Sequence, residues 1–256
     1  MATRVFITGA SSGIGAALAR EYAARGAVLG LAARRADVLA QLGASLPGHH
    51  HCYPLDVNDH AALAAAADDF VAKAGGVDVV IASAGVSHGT LTAEAADLPV
   101  FATILATNVT ATVATFAPFV RHMKDATGPR RLVGIASVAG IRGLPGAGAY
   151  SASKAAVISY CESLRLELAP AGIAVVTIAP GYIATPMTEK NAYRMPFLMP
   201  AERFARRAVR AIEGGDSYRV IPWQMGVVAK LLRLLPNWLY DAAFRRAPHK
   251  ARQSAP

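Results

Sequence analysis

Short runs rich in Val, Ile and Leu alternate along this chain with longer Ala-rich stretches. A continuous apolar run of a few residues marks a strand buried on both faces of a sheet. Apolar positions recurring every three or four residues mark a helix with one buried side. The runs predict strands at 4–8, 28–32, 51–55, 79–82, 131–136, 174–179 and 219–221. The stretches between them predict helices at 13–24, 36–46, 60–74, 99–124, 149–168 and 201–213. Strict alternation of strand and helix with right-handed crossovers gives a doubly wound, seven-stranded parallel sheet with helices on both faces. Such a sheet takes its ligands at the carboxyl ends of the strands, near the point where strand order reverses.

Composition narrows the class. The 256 residues can bury a large core without staples. The two cysteines, Cys52 and Cys161, have neither disulfide-framework nor metal-ligand spacing, which fits a reducing, cytoplasmic setting and no metal. Residues 1–4 run straight into an apolar strand and a glycine turn, leaving no room for a secretory signal. No uninterrupted apolar run approaches the ~18 residues of a spanning helix. The net charge of +9 is uneven: residues 1–193 carry 14 Lys+Arg against 13 Asp+Glu, and 194–256 carry 12 against 4. A basic tail favours nucleic acid or anionic lipid by simple electrostatics, or is merely a solvated surface. The tail contains no aromatic stacking array or recognised nucleic-acid module, so no nucleic-acid partner is expected.

The first strand runs into Thr8-Gly9-Ala10-Ser11-Ser12-Gly13-Ile14-Gly15. Glycines at Gly9, Gly13 and Gly15 allow a tight turn and close approach of backbone to a phosphate, and the N-terminus of the following helix offers free N–H groups and a positive dipole end. Ser11, Ser12 and Ile14 fall in the same turn. Its position after the first strand of a βαβ unit is what makes this a Rossmann-type dinucleotide site. An acid about 20 residues on would select NAD(H). This chain instead has Ala33-Arg34-Arg35, with no carboxylate before Asp37. Two guanidiniums there favour a phosphate-bearing ribose, hence NADP(H) over NAD(H). Asp56, followed by Val57 at the end of the third strand, either receives the adenine amino group or serves as a helix N-terminal acid.

Tyr150 and Lys154 stand four residues apart at the start of a predicted helix and so share one face. A phenol beside an ammonium is biased toward the phenolate, which brings its acidity toward the working range of a proton-transfer catalyst. Ser137, at the end of the fifth strand, can donate its hydroxyl to a developing alkoxide. Taken with Asn108 and Pro180-Gly181, these residues resemble the short-chain dehydrogenase/reductase superfamily, classical type, over about residues 4–221.

The resemblance implies roles residue by residue. Tyr150 is the general acid in reduction and base in oxidation, Ser137 orients the substrate oxygen, and Lys154 binds the nicotinamide ribose and lowers the phenol pKa. Asn108 resembles the family asparagine that holds a water beside the lysine for proton relay. Pro180-Gly181-Tyr182-Ile183-Ala184-Thr185 resembles the segment that holds the nicotinamide carboxamide, with Ile183 acting through its backbone and Thr185 through its hydroxyl. The segment Ser83-Ala84-Gly85 departs from the family's Asn-Ala-Gly. A serine at that position is expected to weaken or reroute a strand-to-strand contact without removing cofactor binding.

The expected activity is hydride transfer between NADP(H) and a small-molecule carbonyl or alcohol, in a homodimer or homotetramer built through the helices at 99–124 and 149–168. A non-catalytic NADP(H)-binding sensor or scaffold protein is the alternative. Residues 1–221 are expected to form the catalytic domain, with a substrate lid at 182–200. Its Met187, Tyr193, Met195, Phe197, Leu198 and Met199 favour an apolar or lipid-like substrate, or else cap the core. Residues 222–256 form a basic amphipathic extension, with Trp223, Leu231, Leu234 and Trp238 beside Lys230, Arg233, Arg245 and Arg246. Pro236 divides it into two short helices. It suits peripheral membrane contact, a subunit contact or a clamp over the pocket.

Overall fold

The computed structural model describes residues 2–189, 191, 193–245, 250 and 252. Arg246 of the basic tail lies outside the described residues. Seven parallel strands form one sheet: β1 (Arg4–Thr8), β2 (Val28–Ala33), β3 (His50–Pro54), β4 (Val79–Ala82), β5 (Arg130–Ile135), β6 (Ile173–Pro180) and β9 (Tyr218–Ile221). A separate two-residue ladder pairs β7 (Ile183–Ala184) with β8 (Met199–Pro200). The main sheet runs β3-β2-β1-β4-β5-β6-β9, so strand order reverses between β1 and β4. The seven strands match the sequence expectation to within a residue at each end. His50, one residue ahead of the strand expected at 51–55, opens β3, and its Nε2 donates to the Pro47 carbonyl at 2.9 Å.

Side chains alternate between the two faces of the sheet, as its pleat requires. Val5 and Ile7 face a core closed by α1 (Gly13–Ala24), α2 (Ala36–Ser45) and α8 (Ala201–Glu213). Phe6 faces the opposite core, closed by α3 (His60–Ala74), α5 (Ala111–Lys124) and α6 (Gly148–Leu168). Gly30 in β2 makes room there for Phe6 and Phe70, since a Cβ would sit 2.5 Å and 2.7 Å from their rings.

The predicted helix at 99–124 is not uniform. It consists of α4 (Leu98–Leu105), a π-helical turn at Ala106–Thr110, and α5. Residues 95–124 are long and apolar enough to cross a membrane by length and composition alone. Phe116, Phe119 and Met123 are fully buried in the protein's own core. After the short α7 (Pro186–Glu189) and after β9, the tail forms α9 (Trp223–Leu234) and α10 (Asn237–Phe244), divided at Pro236 as expected. Arg142 holds this corner: its guanidinium donates to the Arg233 and Leu235 carbonyls and stacks 4.1 Å from the Tyr240 ring centroid.

Candidate active site

The turn between β1 and α1 is shaped by its glycines. Gly9 and Gly13 have φ of 68° and 55°, in the region that L side chains avoid. A Cβ on Gly9 would lie 2.8 Å from Ala84 Cα, and one on Gly15 would strike the Gly9 carbonyl oxygen. The helix beginning here has no side-chain cap and no acid in its first turn. Its leading N–H groups, which have no intrahelical partners, are therefore not satisfied by the N-cap side chain, and its dipole is not offset by a first-turn acid. They border a cavity of 680 Å³ lined by Gly9, Ser11–Gly15, Arg34, Arg35, Asp56, Val57 and 83–85. That volume and a bare helix N-terminus fit a dinucleotide pyrophosphate.

At the far end of this cavity Arg35 Nη2 donates to Ser11 Oγ at 3.1 Å, tying the end of β2 to the glycine turn. Arg34 lies 3.9 Å from Asp56 Oδ2. Asp56 Oδ1 accepts from both the backbone N–H and the side-chain amide of Asn58 at 2.9 Å. The N-cap of α3 is Asp59, which accepts from the Ala62 N–H at 3.0 Å. Helix capping is thus not the task of Asp56, whose carboxylate remains on the cavity wall. At the topological switch, Thr8 Oγ1 accepts from the N–H groups of Ser83 and Ala84 at 3.3 and 3.4 Å. The contact between β1 and the end of β4 is made from the β1 side, so it does not need an asparagine at 83.

A second, 90 Å³ cavity continues inward, lined by Ser137, Tyr150, Lys154, Pro180, Gly181, Ile183 and Thr185. Ile14, Ser83, Gly85, Thr185 and Met187 line both cavities, so the two are parts of one cleft. Tyr150 and Lys154 occupy successive turns at the start of α6, and the Tyr150 hydroxyl is hydrogen-bonded to Ser137. Ser137 Oγ also accepts from the Ala139 N–H at 3.1 Å. Lys154 is buried and donates to the Ile135 carbonyl at 2.8 Å, with its Nζ 5.8 Å from the Tyr150 ring centroid.

Burial dominates the titration of both groups. It raises the Tyr150 phenol above its usual value, opposed by the Ser137 hydrogen bond. It also lowers Lys154 to about 8. The expected lowering of the phenol by Lys154 is therefore corrected. The Lys154 ammonium is engaged by the Ile135 carbonyl, and the low dielectric around the hydroxyl disfavours the phenolate.

Asn108 is completely buried in the π-helical turn and lines neither cavity. Its Oδ1 accepts from the Val86 N–H at 2.8 Å, and its two amide protons go to the Val86 carbonyl at 3.0 Å and Ser153 Oγ at 2.9 Å. Both protons are committed to protein partners, so the side chain positions the loop after β4 against α6. Asn108 still lies near the lysine: a Cβ on Gly85 would be 3.2 Å from Asn108 Oδ1 and 3.6 Å from Lys154 Nζ.

On the opposite wall, the Gly181 N–H donates to the Ile221 carbonyl at 2.8 Å, and Thr188 Oγ1 donates to the Ile183 carbonyl at 2.6 Å. The Thr185 N–H donates to Thr188 Oγ1 at 3.0 Å. In the segment 182–200, Met187, Phe197 and Leu198 are exposed, whereas Met199 is buried in the core. Tyr193 packs edge-on against Tyr182, and its acidity is also affected by Tyr150.

Sequence reasoning missed several contributors. A Cβ on Gly140 would lie 2.6 Å from the backbone carbon of Lys154, so this glycine sets how closely the segment after Ser137 approaches α6. The first turn of α6 lacks a cap of its own, and Thr90 Oγ1 accepts from the Ala149 N–H at 3.4 Å from 59 residues away. Lys250 reaches the Tyr150 ring, 5.6 Å from its centroid. None of the three carries a local sequence signal.

The profile of the family described as short chain dehydrogenase matches residues 3–195. An uncharacterized oxidoreductase of Myxococcus xanthus (strain DK1622) is 39% identical over 94% of this chain and 95% of its own length. The 2-dehydro-3-deoxy-L-rhamnonate dehydrogenase (NAD(+)) of Sphingomonas sp. (strain SKA58) is 36% identical over 72% of this chain and 73% of its own. Among solved structures, the 3-ketoacyl-(acyl-carrier-protein) reductase from Brucella melitensis, complexed with NADH, superposes with a TM-score of 0.78 at 25% identity, covering 86% of this chain and 96% of that one. With the glycine turn, the parallel sheet and the Ser-Tyr-Lys cluster, these matches show that the chain belongs to the short-chain dehydrogenase/reductase family and is an oxidoreductase with an NAD(P)-binding fold.

Proposed function

We propose that the protein is an NADP(H)-dependent reductase of apolar carbonyl compounds, running as a dehydrogenase in reverse. The observation that carries this reading is one continuous cleft with Arg34 and Arg35 at its outer end and Ser137, Tyr150 and Lys154 at its inner end. The bare N-terminus of α1 would hold the pyrophosphate, and Arg35, already bound to Ser11, would hold a ribose 2′-phosphate. Ser83, Ala84 and Gly85 would line the inner ribose, with Asp56 and Val57 beside the adenine. Pro180, Gly181, Ile183 and Thr185 would flank the nicotinamide.

When bound, the nicotinamide supplies the hydride. The protein's own residues then orient and protonate: Ser137 donates toward the carbonyl oxygen, Tyr150 delivers the proton, and Lys154 holds the ribose and supplies positive charge beneath the phenol. Two relatives carry NAD in their names or titles, and the Arg34-Arg35 pair is what supports NADP(H) here.

Residues 1–221 act in this reading as the catalytic domain with a lid at 182–200, and 222–256 as an extension. Free Cys52 and Cys161 support a reducing, cytoplasmic location. Exposed Leu98 and Leu166 support assembly into a dimer or tetramer through α4–α5 and α6. The exposed Trp223, Val227, Leu231, Leu234 and Trp238, rimmed by Lys230 and Arg233, support contact with an anionic lipid surface.

The test is a screen of medium-chain ketones with NADPH and NADH. Replacing Tyr150→Phe is expected to cut turnover by ~10²–10⁴-fold while NADPH still binds. Replacing Arg34 and Arg35 by Gln is expected to weaken NADPH by ~10–100-fold and leave NADH unchanged. Full turnover without the hydroxyl, or equal use of both nucleotides by the unaltered protein, contradicts the reading.

A further inference from the structure

The last described residues of the chain return to the site that the sheet builds. Arg252 forms a parallel bridge with Gly89. Its guanidinium bonds both oxygens of the buried Asp97 at 2.9 and 3.1 Å and lies 3.4 Å from Glu94. These anchors fix the position two residues earlier. There Lys250 Nζ donates to Ser87 Oγ at 2.7 Å and stands 5.6 Å from the Tyr150 ring centroid.

The two basic residues differ in what surrounds them. Arg252 has two carboxylate partners. Among the described residues Lys250 has one neutral hydroxyl and the Tyr150 ring as partners and no carboxylate within ion-pair distance, although it is half-buried and burial draws its pKa down. A partly desolvated ammonium without a counter-charge is unfavourable unless an anion completes it. Closure of the pocket alone would be served better by an apolar side chain against the ring.

We propose that Lys250 is a specificity-determining residue that receives the anionic group of an oxo acid, with the acid one or two carbons from a carbonyl seated at Tyr150. The substrate class is then an acidic carbonyl compound with an apolar body, the acid facing Lys250 and the body facing the lid. This rests on the reading of Tyr150 as the proton donor.

The experiment compares 3-oxooctanoate with its methyl ester in the full-length protein. Steady-state rates with NADPH are one arm, and calorimetric binding to the protein saturated with NADP⁺, where no reduction occurs, is the other. The acid is expected to have a KM and Kd lower than the ester by about 10–100-fold, the range of one charge-assisted hydrogen bond. Lys250→Met is expected to erase that difference by weakening the acid alone, and Lys250→Arg to retain most of it. Equal affinity for acid and ester in the unaltered protein overturns the proposal. So does a Lys250→Met variant that weakens both ligands alike or keeps the preference for the acid. A Lys250-dependent preference in the binding arm without any reduction supports the anion site and removes the reductase reading instead.

Discussion

At the scale of single residues, the site is governed by burial acting on two groups of opposite sign. Burial keeps Tyr150 protonated across neutral pH, as a proton donor requires, and brings Lys154 down to about 8. The sign for reduction follows directly. Both groups are in the competent form below pH 8, and the lysine loses its charge as pH rises through that value. The kcat/KM for NADPH, which reports groups of the free protein, is therefore expected to hold level below about pH 8 and fall above it. Lys154→Met is expected to give a lower profile without that fall. A profile for the unaltered protein that climbs between pH 7 and pH 9 contradicts this assignment. The pair itself was legible in the sequence, because a four-residue spacing on a helix is a local property. The direction of the phenol's shift was not, because it depends on how deeply the surrounding elements bury the hydroxyl.

At the scale of elements, the inner strands were legible nearly to the residue because both faces are buried and each reads as a largely apolar run, whereas the edge strands β3 and β9 are partly exposed and carry His50, His51 and Arg219. The long helix through Asn108 was legible as a helix but not as one with a π-helical turn. Such turns often accompany functional positions, and here the turn carries the buried amide that ties the Val86 loop to Ser153. Gly140 was invisible for a related reason: the contact that demands a glycine lies on a different element. Gly140→Ala is expected to force the 138–140 turn off the Lys154 backbone, costing about 1–3 kcal/mol. Calorimetry should show a Tm lower by several degrees, accompanied by a raised KM for NADPH. Gly143→Ala, where a Cβ meets nothing within 4 Å, is the control and is expected to leave both unchanged.

At the scale of the whole molecule, the excess positive charge seen in the sequence resolves into separate tasks. Arg142 and Arg252 are structural clamps, whereas Lys230 and Arg233 stay exposed beside an apolar stripe in which Leu234 is 80% and Trp238 72% exposed. In flotation assays the protein is expected to bind phosphatidylglycerol vesicles at low salt and to lose that binding with Leu231→Glu and Trp238→Glu together. If the paired substitution instead changes only the oligomeric state, the stripe is a subunit contact. The sequence showed the charge imbalance and the break at Pro236. It did not show that the chain returns to Ser87 and Asp97, because contacts across 163 and 155 residues leave no periodic trace. That return has a bearing on how the protein is made. A polypeptide emerging from the ribosome presents the four strands that border the nucleotide cleft, and then the phenol, well before position 250 is translated. Folding that begins during synthesis therefore builds the sheet before the segment carrying Lys250 and Arg252 can reach Ser87 and Asp97.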